Sequence, residues 1–247
     1  MPLLLLDLDN TLVDRDAAFR FATTDLLATH GLPATDLDWV LELDASGYRP
    51  RGVVARGLLD RYPMLAPPLV QGFLDNGAAD AVTLAASTRT ALRHATALGW
   101  TPVIVTNGRV RQQEKKIQVS GLDREVAGWV ISEGVGAAKP DAGIFARAAE
   151  VVGARLADGG WVVGDSARAD IGGAQAIGYP SVWLPLSAGS GRPSSSTNLR
   201  APPTTCPPRS TWCWTTRASD EDQPPWIFSN GSRSSSPRGS SALDRLT

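Results

Sequence analysis

Lysine is nearly missing from this 247-residue chain: of its 24 basic residues only Lys115, Lys116 and Lys139 are lysines. Arginine and alanine are plentiful instead, a coding bias to which no function attaches. Cysteine is equally scarce. The only two, Cys206 and Cys213, lie far towards the C-terminus, so no disulfide framework supports the bulk of the chain. No apolar run approaches the roughly 20 residues that a membrane-spanning helix needs. The apolar start Pro2–Leu6 has no basic segment before it and is broken by Asp7 and Asp9, which argues against a signal peptide. A cytoplasmic protein is the expectation. Net charge is −1, so no global field draws the chain to nucleic acid or an anionic membrane. The two histidines, His30 and His94, sit near helix ends and receive no role.

Short apolar runs do occur, at regular intervals. Leu3–Leu6, Pro102–Val105, Trp129–Ile131, Trp161–Val163 and Ser181–Leu184 read as strands buried on both faces, as in a parallel sheet. Between them, helices are predicted at Ser87–Leu98, Val110–Ser120, Asp141–Val152 and Arg168–Ile177. In the third, Ile144, Ala148, Val151 and Val152 recur at helical spacing. Gly99, Gly121, Gly153 and Gly178 each follow a helical run, where a left-handed residue ends a helix. Alternation of this kind predicts an α/β fold, a doubly wound parallel sheet of Rossmann-like form. One block departs from it. Asp16–Thr29, Asp36–Leu43, Val53–Arg61 and Leu69–Asn76 read as successive helices with no strand between them. Residues 15–86 are therefore expected to form an inserted helical cap, with a long crossover connection as the alternative, and residues 1–14 and 87–186 the core.

From Ser187 the pattern stops. Residues 187–247 hold 14 serines and 8 prolines with no apolar periodicity, so an irregular tail is expected. Its isolated tryptophans and both cysteines also suit translation out of frame from near Leu186–Arg192.

Four short polar motifs end four of the strands. Asp7 and Asp9, at i and i+2, leave the first strand on one side at its carboxyl end, where α/β folds bind ligands. One carboxylate can attack phosphorus and the other can act as acid and base. Thr106-Asn107-Gly108 ends the second strand and offers a hydroxyl and backbone N–H groups to a phosphate, or else an ordinary helix cap. Lys139-Pro140 precedes the third helix, where a lysine offsets phosphate charge or is simply solvated. Gly164-Asp165, followed by Asp170, supplies acidic oxygens for a hard cation, or helix N-terminal acids. Each signal is weak alone; their order at successive strand ends is not.

Together, Asp7-x-Asp9-x-Thr11, Thr106-Asn107-Gly108, Lys139-Pro140 and Gly164-Asp165-x4-Asp170 resemble the four motifs of the haloacid dehalogenase-like hydrolases, over residues 3 to about 186. The resemblance implies a sheet order of 5-4-1-2-3, a C1-type helical cap and a Mg²⁺ cofactor. It also implies Asp7 as nucleophile and metal ligand, and Asp9 as acid/base and metal ligand through its main-chain carbonyl. Thr106, Asn107 and Lys139 would hold the phosphoryl group, and Asp165 and Asp170 would serve the metal. The run from Thr106 to Gln113, with Gly121-Leu122, Val130–Glu133, Lys139-Pro140 and Ile144-Phe145, is similar to the branch of nucleotide 5′-nucleotidases and acylneuraminate phosphatases. The expected activity is phosphate monoester hydrolysis of a small phosphorylated metabolite, a nucleotide or sugar phosphate. A phosphomutase, a 2-haloacid dehalogenase and a non-catalytic binding module are the alternatives. In the inserted block, Tyr48, Arg49, Arg51 and Arg56 form the most basic cluster, suited to a second anionic group or to pairing with Asp44 and Asp60.

Overall fold

The computed structural model describes residues 1–184 together with 212–215 and 227–230. Five parallel strands form the central sheet in the order β3-β2-β1-β4-β5, with β1 Leu3–Leu6, β2 Thr101–Thr106, β3 Gly128–Ile131, β4 Gly160–Gly164 and β5 Ser181–Trp183. That is the predicted order. The first strand, four leucines all shielded from solvent, is the middle one: Leu3 pairs with Thr101 on one side and Gly160 on the other. Burying each leucine contributes roughly 2 kcal/mol, so β1 is anchored by its own composition. Pro102 fits inside β2 because the main chain at this position faces β3, where Ala127 N–H donates to the Pro102 carbonyl (2.8 Å) and β3 pairs only from Val103 onward. The missing proline N–H therefore costs no ladder bond.

Helices α5 (Ala86–Ala97), α6 (Val110–Ser120), the short α7 (Ser132–Val135), α8 (Ala142–Val151) and α9 (Gly172–Ala176) connect the strands. The inward stripe of α8 is Ile144, Phe145, Ala148 and Ala149, packed on Leu3, Leu5, Val103, Val105 and Val162. Val151, placed on that stripe by sequence spacing, is half exposed; the buried face is rotated towards Phe145 and Ala149. The predicted helix Arg168–Ile177 also differs. Its first part, Ala167–Ile171, is a wider turn in which the Ser166 carbonyl accepts from both Asp170 and Ile171 N–H, and only Gly172–Ala176 is α-helical.

Between β1 and α5 lie four α-helices and no strand: α1 Arg15–Thr29, α2 Leu37–Asp44, α3 Arg51–Arg61 and α4 Pro67–Ala81. Pro67 and Pro68 start α4 because the first helical turn needs no N–H from them. Gly77 within α4 permits close approach to α1: a Cβ there would sit 3.1 Å from the Ala22 methyl. Helix α4 also packs on α6 of the core, through Gln112 Nε2 to the Leu74 carbonyl (3.1 Å), Arg109 to Asp75 (2.9 Å) and Lys115 to Asp80 (2.5 Å). In a separate unit, β6 Trp212–Thr215 and β7 Ile227–Asn230 pair antiparallel. The remaining residues to which the tail reading applies lie outside those described.

Candidate active site

The chain turns sharply after β1. Asn10 takes a left-handed conformation (φ 58°), its N–H bonds the Val13 carbonyl at 2.8 Å, and its side chain accepts from Asp16 N–H at 3.1 Å. Asparagine tolerates this backbone better than most residues. Asp14 then caps α1 through Ala17 N–H (2.8 Å). This turn holds Asp7 and Asp9 at the carboxyl edge of the sheet, on the wall of a cavity of about 420 Å³. Thr106, Asn107, Lys139, Asp165 and Asp170 line the same cavity. All seven residues singled out in the four strand-end motifs as catalytic, phosphate-binding or metal-binding are thus brought together.

One group forms around Asp7. Carboxylate oxygens of Asp7, Asp165 and Asp170 lie within 4.8 Å of one another, all buried. The Lys139 ammonium stands 2.5 Å from Asp7 Oδ1 and 2.7 Å from Asp170 Oδ1. Three carboxylates facing one cation leave an excess of negative charge and hard oxygen donors, which fit a divalent cation such as Mg²⁺. Burial pushes the Asp7 carboxyl up to about 8, with Asp170 and Asp165 adding to the rise and Lys139 opposing it. Burial alone would lower the Lys139 ammonium; Asp7 and Asp170 more than reverse this.

Asn107 spends its side chain on Lys139: it donates to the Lys139 carbonyl (3.0 Å) and accepts from the Lys139 N–H (2.8 Å). Both ends of the amide are committed to fixing the lysine. Two amides at the start of α6 are also occupied, Gly108 N–H by Ser132 Oγ (3.0 Å) and Val110 N–H by Glu133 Oε2 (2.7 Å). Asp170 is shaped by its neighbours. Its Oδ2 accepts from Ser166 N–H at 2.9 Å, and a Cβ on Gly164 would fall 2.2 Å from its carboxyl carbon. Gly164→Ala is therefore expected to destabilise the fold by about 1–3 kcal/mol and to loosen Asp170. Urea denaturation of the two proteins measures the first effect; unchanged stability contradicts this packing.

The second group forms around Asp9, and its partners escaped the sequence reading. Lys116 Nζ lies 2.7 Å from both Asp9 oxygens, and Gln113 Nε2 donates to Asp9 Oδ2 (3.0 Å) and to Thr106 Oγ1 (2.6 Å). Both side chains are buried. For Asp9, burial favours the protonated form, but Lys116, Gln113 and Arg15 together outweigh it and the pKa falls below the usual carboxylate value. A signal was present in the sequence: the inward stripe of α6, Gln113, Lys116, Ile117 and Ser120, carries polar residues where a helix packed on a core normally carries apolar ones.

The inserted helices supply the remaining wall. Asp44, wholly buried, accepts from Arg15, from Arg51 (2.8 Å) and from Gly47 N–H (2.8 Å). It thereby holds a loop in which Ala45, Ser46 and Gly47 all have positive φ (50°, 53° and 81°). For the alanine and serine this conformation costs of order 1 kcal/mol each and persists only where neighbours enforce it. Of the basic cluster read from the sequence, Tyr48, Arg49 and Arg51 line the cavity; Arg51 also pairs with Asp44, and the exposed Arg56 is not in the wall.

Residues 1–178 match the haloacid dehalogenase-like hydrolase family. The chain belongs to it. No curated protein matches the sequence. Among solved structures, the HAD-hydrolase YfnB of Bacillus subtilis, solved with magnesium bound, is 24% identical, with 74% of this chain and 86% of that one covered and a TM-score of 0.61. A HAD phosphatase of Thermococcus onnurineus is 20% identical, covering 76% and 88%, with a TM-score of 0.53. A HAD family hydrolase of Deinococcus radiodurans, solved with phosphate and sodium, is 23% identical, covering 73% and 79%, with a TM-score of 0.54. These likenesses concern the shared fold. Members of the HAD family of hydrolases generally use a divalent metal and act on small phosphorylated compounds. No helix among the described residues is long and apolar enough to cross a membrane.

Proposed function

We propose that this HAD hydrolase is a Mg²⁺-dependent phosphate monoester hydrolase, acting on a small phosphorylated metabolite through an aspartyl-phosphate on Asp7. The observation that carries the reading is the convergence of three buried carboxylates, Asp7, Asp165 and Asp170, on one lysine that touches two of them. Such an arrangement suits a doubly charged cation beside a phosphoryl dianion. A single anion such as a haloacid gives it no comparable use. When bound at these carboxylates and the Asp9 carbonyl, Mg²⁺ supplies positive charge to the phosphoryl oxygens.

The chain's own groups then divide the work. An Asp7 oxygen attacks phosphorus and the bond to the ester oxygen breaks. The leaving oxygen takes a proton from the Asp9–Lys116 pair, whose partners stand 2.7 Å apart. In the second half, water attacks the phosphorus, its proton returns to that pair, and Asp7 is released with inorganic phosphate. Lys139 offsets charge on the phosphoryl group. The Thr106 hydroxyl accepts from Gln113 at 2.6 Å, and its proton, held only by a long 3.4 Å bond to the Asn107 carbonyl, turns to a phosphoryl oxygen. Asn107 acts through Lys139, whose backbone it fixes. Residues 15–86 serve as a cap over this chemistry and supply the side chains that meet the leaving group.

Purified protein is expected to release phosphate from p-nitrophenyl phosphate with added Mg²⁺. No release from this or any phosphate ester, with metal saturating and the fold intact, contradicts the reading.

A further inference from the structure

The cavity is electrically polarised along its length. Its sheet end holds Asp7, Asp165 and Asp170 around Lys139. Its cap end holds Arg15, Arg49 and Arg51; Asp16 and Asp44 answer Arg15, Asp44 also answers Arg51, and Arg109 and Asp75 in the same wall pair with each other. Two of these three cations are held in place: Arg15 is only 2% exposed, and Arg51 is tied to Asp44. The Arg15 guanidinium lies against Gly47 of the strained loop, and its Nη2 is buried with no hydrogen-bond partner. Buried donors are rarely left unpaired, and Arg15 is one of the residues that line the cavity. Arg49 is the third cation. It lines the cavity, and among the described residues its guanidinium makes no ion pair or side-chain hydrogen bond. Three guanidiniums against two carboxylates leave one positive charge over, that of Arg49, facing the cavity.

We infer that the cap end is a second anion site, so that the substrate is a phosphate monoester carrying a carboxylate or second phosphate on its leaving-group side. The inference rests on the proposed phosphatase reading and narrows its substrate. The phosphoryl group to be cleaved sits at the sheet end against Asp7, and the other anion reaches Arg49 and Arg51, with the buried charge of Arg15 beside them. A cavity of about 420 Å³ lies in the lower part of the roughly 300–1,000 Å³ range of small-molecule sites. It accommodates a compact doubly anionic metabolite and leaves the far charge within the same chamber.

Two matched pairs separate the anion types: glycerol 3-phosphate against 3-phosphoglycerate, and fructose 1-phosphate against fructose 1,6-bisphosphate. In at least one pair the doubly anionic ester is expected to show a kcat/KM about tenfold or more higher, mainly through KM, as a charge-assisted hydrogen bond allows. Arg49→Gln is expected to reduce that preference to under threefold. Nothing in the fold depends on this exposed guanidinium, so misfolding does not confuse the result. Arg56→Gln, an exposed change outside the cavity, is expected to leave the preference intact. Binding is read separately, by calorimetry with 3-phosphonopropionate and propylphosphonate, neither of which has an ester bond to hydrolyse. The first is expected to bind about tenfold more tightly for a carboxylate site, and Arg49→Gln to remove the difference. If the protein hydrolyses no ester, the phosphatase reading falls while calorimetry, with 1,3-propanebisphosphonate as the second-phosphate probe, still decides the anion site. Equal treatment within every pair, or a preference untouched by Arg49→Gln, overturns it.

Discussion

Asp7→Asn is expected to abolish turnover, by on the order of 10⁴-fold or more, while leaving the protein folded. The reason is chemical. An amide is isosteric with the carboxylate but is not a nucleophile towards phosphorus, and it also weakens the carboxylate cluster. Structural cost should be small. Burial already pushes the Asp7 carboxyl up to about 8, so the uncharged form is well tolerated in that position. Removing its charge does leave Lys139 with Asp170 alone, at 2.7 Å. Steady-state hydrolysis of p-nitrophenyl phosphate at saturating Mg²⁺, with circular dichroism on the same samples, measures both halves. Wild-type turnover by a folded Asp7→Asn protein would remove the proposed mechanism.

The second large effect concerns the metal. EDTA is expected to stop hydrolysis, excess Mg²⁺ to restore it, and Asp165→Ala to raise the Mg²⁺ needed by about 10–100-fold. A pH dependence follows from Asp7. Its carboxyl in the folded, metal-free protein titrates at about 8, raised from 3.8 by burial first and by Asp170 and Asp165 next. A raised carboxyl pKa means that the native state holds a proton which the unfolded chain has lost. This contribution to stability is present at low pH and disappears as pH rises towards 8. Mg²⁺ must displace that proton to bind. The Mg²⁺ concentration for half-maximal activity should therefore fall as pH rises from 6 to 8, by up to about tenfold per unit. The gain in melting temperature on adding Mg²⁺ should correspondingly be larger at pH 8 than at pH 6. Equal gains at both pH values would show that Asp7 does not share a proton and a cation in this way.

The strands and the residues at their ends were legible in the sequence because both signals are local. A run such as Leu3–Leu6 has no soluble alternative to burial, and Asp7, Thr106 and Asp165 are carried wherever β1, β2 and β4 go. Lys116 and Gln113 were not legible as site residues. Their burial is decided by Asp9, more than 100 positions away in the chain, and only the polar stripe of α6 hints at it. Arg15 is similar: it begins a helix like many surface arginines, and Asp44, 29 residues on, turns it inward. The wide turn at Ala167–Ile171 was read as ordinary helix because the periodicity of five residues cannot distinguish the two. Helix α4 runs longer than the sequence suggests, since Pro67, Pro68 and Gly77, residues that usually interrupt helices, sit here at its first turn and at the α1 contact.

The central claim, that Asp7 becomes phosphorylated, is tested most directly by acid-quenching the enzyme during turnover and mapping its peptides by mass spectrometry. The account predicts one added phosphoryl group on the N-terminal peptide containing Asp7, appearing with substrate, depending on Mg²⁺ and absent from Asp7→Asn. Substrate turnover with no phosphoryl group on that peptide at any quench time, under conditions that preserve acyl phosphates, or with the adduct on another residue, would contradict it.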